Sequence, residues 1–188
     1  MDSRLIIFSL TQITFNLALY APINFLPDVM IKEHEIPRLD AGHVIAFYGI
    51  SNVVGAILSG ICANFLKNNV ILLISICVMG LGICCIGISF SSLYWHFVVC
   101  CFMYGIFSIT VIVLKPILLT DMFGVESLKV SFGVVMACSG IATLVGSPMF
   151  GWFKELQGTY DLSFNVAGGF NFLGAILTFI LLWFQKRK

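Results

Sequence analysis

Lys115 is the single charged residue that sits well inside an apolar run of this chain. A charged group at such a place either reaches back to water or meets a counter-charge. Asp121 follows six residues later, about 9 Å along a helix. The lysine stem spans much of that distance, which is one reading. The other is that the ammonium faces a water-filled cavity and attracts an anionic solute. Pro116, directly after it, predicts a kink. Gln12, Asn16 and Tyr20 recur every fourth residue and therefore share one helix face. They serve as hydrogen-bonding groups toward a neighbouring helix or as one wall of an aqueous cavity. Asn52 is the largest polar group near the middle of its own apolar run, beside Tyr48 and Ser51.

The chemistry of a soluble enzyme has no footing here. His34, His43 and His96 fall at or near the ends of apolar runs, and no H-E-x-x-H, G-x-S-x-G or pair of deep aspartates occurs. Seven cysteines lie inside apolar runs, and none has metal-ligand spacing with a histidine. They are expected to pack as small apolar residues. No metal, cofactor or catalytic residue is expected. A net charge of +1 offers no basic field for nucleic acid.

The elements that must position these residues follow from composition. Hydrophobic residues make up 60% of the 188 residues and charged residues 10%; mean hydropathy is +1.05. Soluble domains carry about 25% charged residues, so the solvent of this chain is lipid. A spanning helix needs about 20 apolar residues, and the charge-free runs yield six: Leu5–Phe25, His43–Phe65, Val70–Phe90, Tyr94–Leu119, Phe132–Phe150 and Val166–Phe184. Helices are required because lipid satisfies no backbone group, and the runs lack the alternation of barrel strands. The first run is too long and too polar for a signal peptide. The longest connection is expected at Leu26–Gly42, with Pro27 and Pro37 inside it.

Six spans place both termini on one side. If that side is inside, the inner segments hold Arg4, Lys67, Lys129, Lys186, Arg187 and Lys188, and the outer ones Lys32, Arg38 and Lys154. The positive-inside rule then predicts cytoplasmic termini. Tyr94, Trp95 and His96 read as an interfacial belt. Small residues crowd the fifth span at Gly133, Ala137, Gly140, Ala142, Gly146, Ser147 and Gly151, a pattern for close helix packing or for a sliding surface.

Several stretches resemble the C-terminal half of the monocarboxylate transporter family, within the major facilitator superfamily. Tyr20-Ala-Pro22 with Phe25-Leu-Pro27 is similar to the first helix of that half. Asp121-Met-Phe-Gly124 with Phe132-Gly133 resembles its cytoplasmic loop and the helix start after it. Gly140 to Gly151, running on into Gly158-Thr-Tyr160-Asp161-Leu-Ser-Phe164, is similar to its Gly-Pro-Pro-x-x-Gly turn and Gly-x-Tyr-Asp-x-Ser-Phe segment. Gly60-x-x-x-Asn64-x-x-Lys67 is a worn loop motif of the superfamily. The resemblance covers essentially the whole chain.

It implies an all-α membrane fold: six transmembrane helices over residues 1–188, one half of a major facilitator fold. It implies transport of a small organic solute, possibly a monocarboxylate, by rocking against a partner half, with the plasma membrane as the place of residence. The well-known members carry an Asp and an Arg four apart in the second helix of this half. Here Asn52 and Ala56 stand there, which puts proton coupling (symport) and charge-paired carboxylate binding in doubt. Asn16, Tyr20, Asn52 and Lys115 are the candidate substrate-binding residues. The expected partners are the lipid bilayer and either an N-terminal half or a second copy. A fragment, a half-transporter and a truncated product without transport activity all remain open. The alternative reading is a non-transporting protein that associates with a full-length transporter or a single-span chaperone.

Overall fold

The computed structural model describes residues 3–65, 69–91, 93–157 and 160–186. Lys67, Arg187, Lys188 and Gly158-Thr159 of the quoted motifs lie outside them. Among the described residues there are five helices: α1 (Ser3–Lys32), α2 (Arg38–Phe65), α3 (Val70–Ser89), α4 (Tyr94–Gln157) and α5 (Asp161–Lys186).

The helical boundaries depart from the expected spans at two places. The connection expected at Leu26–Gly42 shrinks to residues 33–37, because α1 continues through both Pro22 and Pro27. Neighbouring helices compensate the backbone groups that proline frees inside a membrane bundle. α1 stops only where Glu35 turns to a φ of 54°. There the N–H of Ile36 donates back to the Met30 carbonyl at 2.9 Å. Pro37 then precedes α2.

The fourth and fifth expected spans belong to one element, so five helices replace six. α4 runs 64 residues, and its only non-helical backbone is Gly124, at φ 75° and ψ 166°. A straight helix of that length would measure about 96 Å. It is not straight. Tyr104 donates to the Leu19 carbonyl at 2.8 Å, and Asn16 donates to Ser139 Oγ at 3.1 Å. Two points 35 residues apart on α4 thus reach neighbouring turns of α1, although a straight helix would part them by about 52 Å. Gly124 folds α4 into a first arm (residues 94–123) and a second arm (125–157) that lie along α1.

The register is consistent along both arms. Asn16 meets Ser139 and Asn24 meets Ser147 at 3.4 Å, a constant offset that makes α1 and the second arm parallel. The His34 ring lies tilted 5.2 Å from that of Phe97 while Leu19 meets Tyr104, so the first arm is antiparallel to α1. The core between them is aliphatic and aromatic, with Phe8, Phe15, Leu114, Val135 and Phe150 fully buried.

Small residues set the closest approaches, but only some of them. A Cβ on Gly146 would stand 2.5 Å from the Leu17 carbonyl oxygen, whereas one on Gly133 or Gly140 would meet nothing within 4 Å. Close packing therefore accounts for Gly146 and leaves Gly133 and Gly140 on an open face. All seven cysteines are free thiols. Cys77, Cys84, Cys85 and Cys101 are buried, as expected of packing residues.

α2 is the least enclosed helix: 22% of its most apolar window is buried. Ile50, Val53, Ile57 and Ile61 stand out from it at half exposure or more. Such a face is incompatible with water and needs lipid or another apolar surface.

Candidate functional site

The four candidate residues occupy three different surroundings. Asn16 is buried at the α1–α4 contact, where its Nδ2 donates to the Gln12 carbonyl at 2.7 Å and to Ser139 Oγ at 3.1 Å. Its polarity is taken up by helix packing. Tyr20, one turn on, is exposed. Asn52 is half-buried, and its Nδ2 donates to the Tyr48 carbonyl at 3.0 Å within α2. Lys115 is 3% exposed. Its side chain is therefore turned into the bundle rather than laid along the outer surface toward water. Among the described residues it has no carboxylate partner.

Depth separates these groups as well. Tyr48 lies beside Tyr104, with ring centroids 6.4 Å apart. Asn52 is one turn further along α2. Lys115 follows Tyr104 by 11 residues, about 16 Å along the first arm. Asn16, Tyr20 and Asn52 thus share the level near Tyr104, and Lys115 lies deeper toward the Gly124 end. The space between α1, α2 and the first arm, lined by Pro22, Ile23, Leu26, Tyr48 and Tyr104, measures about 10 Å³. That is room for about one water and no solute.

Three polar features stand beside the four candidates, and the sequence reading named only Gln12 among them. The first is Tyr104, buried with its hydroxyl donated to the Leu19 carbonyl. A lone tyrosine in an apolar run carries no signal of its partner. The second is Gln12. It is fully buried, and neither amide atom has a hydrogen-bond partner; Ser9 Oγ is unpartnered too.

The third is a cluster at the opposite end of the bundle from Gly124. Asp28 pairs with Lys32 at 2.9 Å and lies 3.9 Å from Lys154. Tyr160 donates its hydroxyl to Asp28 Oδ2 at 3.0 Å and its backbone N–H to Glu33 Oε1 at 3.1 Å. Lys154 donates to the Tyr160 hydroxyl oxygen and sits 4.2 Å from the ring centroid. Burial and the hydrogen bond to Asp28 push the Tyr160 phenol up to about 12. The Asp28–Lys32 spacing of four was visible in the sequence. Its union with α5 was not. Beside the cluster lies a concavity of about 560 Å³ lined by Phe25, Trp152, Lys154, Glu155 and Tyr160.

Comparison with known proteins is consistent along the chain. The model of the Major Facilitator Superfamily matches residues 8–188. Monocarboxylate transporter 9 of Pongo abelii is 30% identical over 176 residues, covering 89% of this chain and 32% of that protein. Monocarboxylate transporter 9 of Rattus norvegicus is 29% identical over 172 residues, covering 89% and 32%. Monocarboxylate transporter 14 of Homo sapiens is 26% identical over 175 residues, covering 85% and 31%. The chain thus spans about a third of the length of these curated relatives. Their names are those of transporters and not of enzymes. Among the described residues, five helices long and apolar enough to cross a bilayer make this a multi-pass membrane protein.

Proposed function

Because the chain belongs to the Major Facilitator Superfamily, we propose that it moves a small organic solute, monocarboxylate-like, as one half of an alternating-access carrier. The observation that carries this reading is the superfamily match from residue 8 to residue 188. The fold at Gly124 supports six crossings, since each arm of α4 exceeds the roughly 20 residues a span requires. Residues 1–188 are then a single C-terminal-half domain. The count of lysines and arginines in the connecting segments of the sequence favours cytoplasmic termini, with the plasma membrane as the residence that the likeness suggests.

The partner is an N-terminal half or a second copy. In carriers of this build the solute sits near the midplane between two halves. Tyr20 and Asn52 are the candidates best suited to that surface, because each keeps exposure on this half alone. Asn52 donates to its own helix and Ala56 carries no charge, so these two positions of α2 supply neither a proton carrier nor a guanidinium. A carboxylate would have to find its positive charge elsewhere. Asn16 and Lys115 contribute from inside the bundle rather than from that surface.

The test is uptake of labelled small organic acids and amino acids into cells expressing this chain, with its surface level quantified. Uptake by the chain alone supports self-pairing. Uptake only when an N-terminal half is co-expressed supports a split carrier. No uptake in either case, with normal surface level, defeats the transport reading. The exposed face of α2 also suits a second reading, a non-transporting subunit held by a full-length relative or a single-span chaperone. Co-purification of such a partner without uptake would favour it.

A further inference from the structure

We propose that Tyr104 is a positioning residue for α1: its hydroxyl takes the place of the N–H that Pro22 lacks, and so fixes the direction of Tyr20 and of the helical segment that follows it.

The chemistry starts with the proline. Pro22 lies inside α1 and has no N–H, so the carbonyl four residues back, that of Ala18, loses its helical donor. The ring also crowds that carbonyl and opens the backbone around it. Inside lipid no water replaces the missing bond. Tyr104 reaches this point from the first arm of α4. Its hydroxyl lies 2.8 Å from the Leu19 carbonyl oxygen and 3.5 Å from that of Ala18. One proton thus serves the stretch of backbone that the proline disturbs, strongly at Leu19 and weakly at Ala18. A carbonyl oxygen has two lone pairs, so Leu19 accepts it without giving up its own helical bond. The ring is held in place. Tyr104 is 1% exposed, and the Tyr48 ring stands beside it at 6.4 Å. The space of about 10 Å³ between Pro22, Ile23, Leu26 and the two tyrosines gives the side chain nowhere else to go.

The hydrophobic core divides at the same level. On α1, Phe15, Ala18 and Leu19 belong to one buried cluster, and Leu26, Val29 and Met30 to another. On the first arm of α4, Tyr104 lies in the first cluster and Cys101, one turn before it, in the second. Pro22 falls in the gap, with the half-buried Phe25 touching both clusters. α1 is therefore built as two segments, each seated on its own core. Packing alone sets the angle between them weakly, and a proline at the joint removes the backbone bond that would set it. The Tyr104 hydroxyl supplies a fixed point there, on the residue directly before Tyr20. Tyr20 is exposed. Its direction toward a solute rests on the transport reading; the hold of Tyr104 on α1 does not.

The experiment uses the full chain in lipid nanodiscs. Melting temperature is measured for Tyr104→Phe, for Pro22→Ala and for the two together. Alanine at position 22 returns an N–H to the Ala18 carbonyl. The expected result is a lower melting temperature in Tyr104→Phe, and a drop about half as large, or smaller, once Pro22→Ala is present. Hydrogen exchange followed by mass spectrometry gives the local signature. The amides of residues 23–26 should exchange about threefold faster in Tyr104→Phe, with those of α3 unchanged. If Tyr104→Phe alone does not fold, the double variant decides: recovery of folding supports the proposal and failure overturns it. If Pro22→Ala does not fold, the exchange pattern decides. Equal drops with and without Pro22 overturn the proposal. So does the absence of any drop, or faster exchange spread evenly over α1 and α3.

Discussion

Tyr160 is hydrogen-bonded to Asp28 across the end of the bundle, 132 residues away in sequence, through a 3.0 Å bond from its hydroxyl to Oδ2. With the bond from its N–H to Glu33, one residue fastens the start of α5 to the end of α1. Lys154 brings the end of α4 to the same point. The ends of α1 and α4 and the start of α5 thus meet at a single aromatic side chain.

Replacing Tyr160 by Phe removes the hydroxyl and keeps the ring. A hydrogen bond to a charged acceptor is worth about 1.5–3 kcal/mol when buried. Asp28 is about half open to solvent, so the expected loss is nearer 1 kcal/mol. Melting of the nanodisc-embedded chain measures it. Asp28→Asn combined with Tyr160→Phe should cost less than the sum of the two single changes, since both remove the same bond.

The same phenol gives a pH signature. Its folded pKa is raised from about 10 to about 12, by burial first and by its bond to Asp28 second. The stability it contributes is complete below pH 10 and is lost as pH climbs through 12. Melting temperature should therefore fall between pH 10 and 12 by more in the unmodified chain than in Tyr160→Phe. Equal falls would show that lysine titration alone is responsible.

Gly146 and Gly140 stand six residues apart on one helix and should answer oppositely to alanine. A Cβ at Gly146 meets the Leu17 backbone at 2.5 Å, and backbone has no rotamer with which to yield. Gly146→Ala is expected to destabilise by about 1–3 kcal/mol. Gly140→Ala meets open space and gains helix propensity, so it should be neutral or stabilising by up to about 1 kcal/mol. Paired melting curves decide between them.

Gly124 holds the fold-back of α4 at a φ of 75°. Gly124→Ala should cost about 1–3 kcal/mol, because that backbone region suits glycine almost alone. Cross-linking between cysteines placed at Asn16 and Ser139 reads whether the second arm still returns to α1. Its yield should drop in the Gly124→Ala background.

Asn16→Leu tests how much of the α1–α4 contact is polar. Hydrogen bonds between membrane helices average about 0.6 kcal/mol, so the expected loss is under about 1 kcal/mol. Ser139→Ala should cost a similar amount and add little to it.

The amino-acid sequence alone determined the solvent, the helical class and most of the helical extent of this protein. Those properties rest on counts of apolar residues and on gaps between charges, which are local quantities. Val70–Phe90, for instance, reappears as α3 within one residue. The sequence also singled out Asn16, Asn52 and Lys115 as polar groups in lipid, because their cost is a property of the residue itself. It missed the passage of α1 through Pro27, since only neighbouring helices decide whether a freed carbonyl is tolerated. It missed the joining of the fourth and fifth spans through Gly124, where charged residues between two apolar runs read as a loop but hold helical backbone. The partners belong wholly to the tertiary structure. Asn16 with Ser139, Tyr104 with Leu19 and Tyr160 with Asp28 are each separated by more than 80 residues. Period and composition report which face a residue occupies, whereas packing alone reports what that face meets. Lys115 shows the difference most plainly: its charge was legible from sequence, and its burial against the rest of the bundle was not.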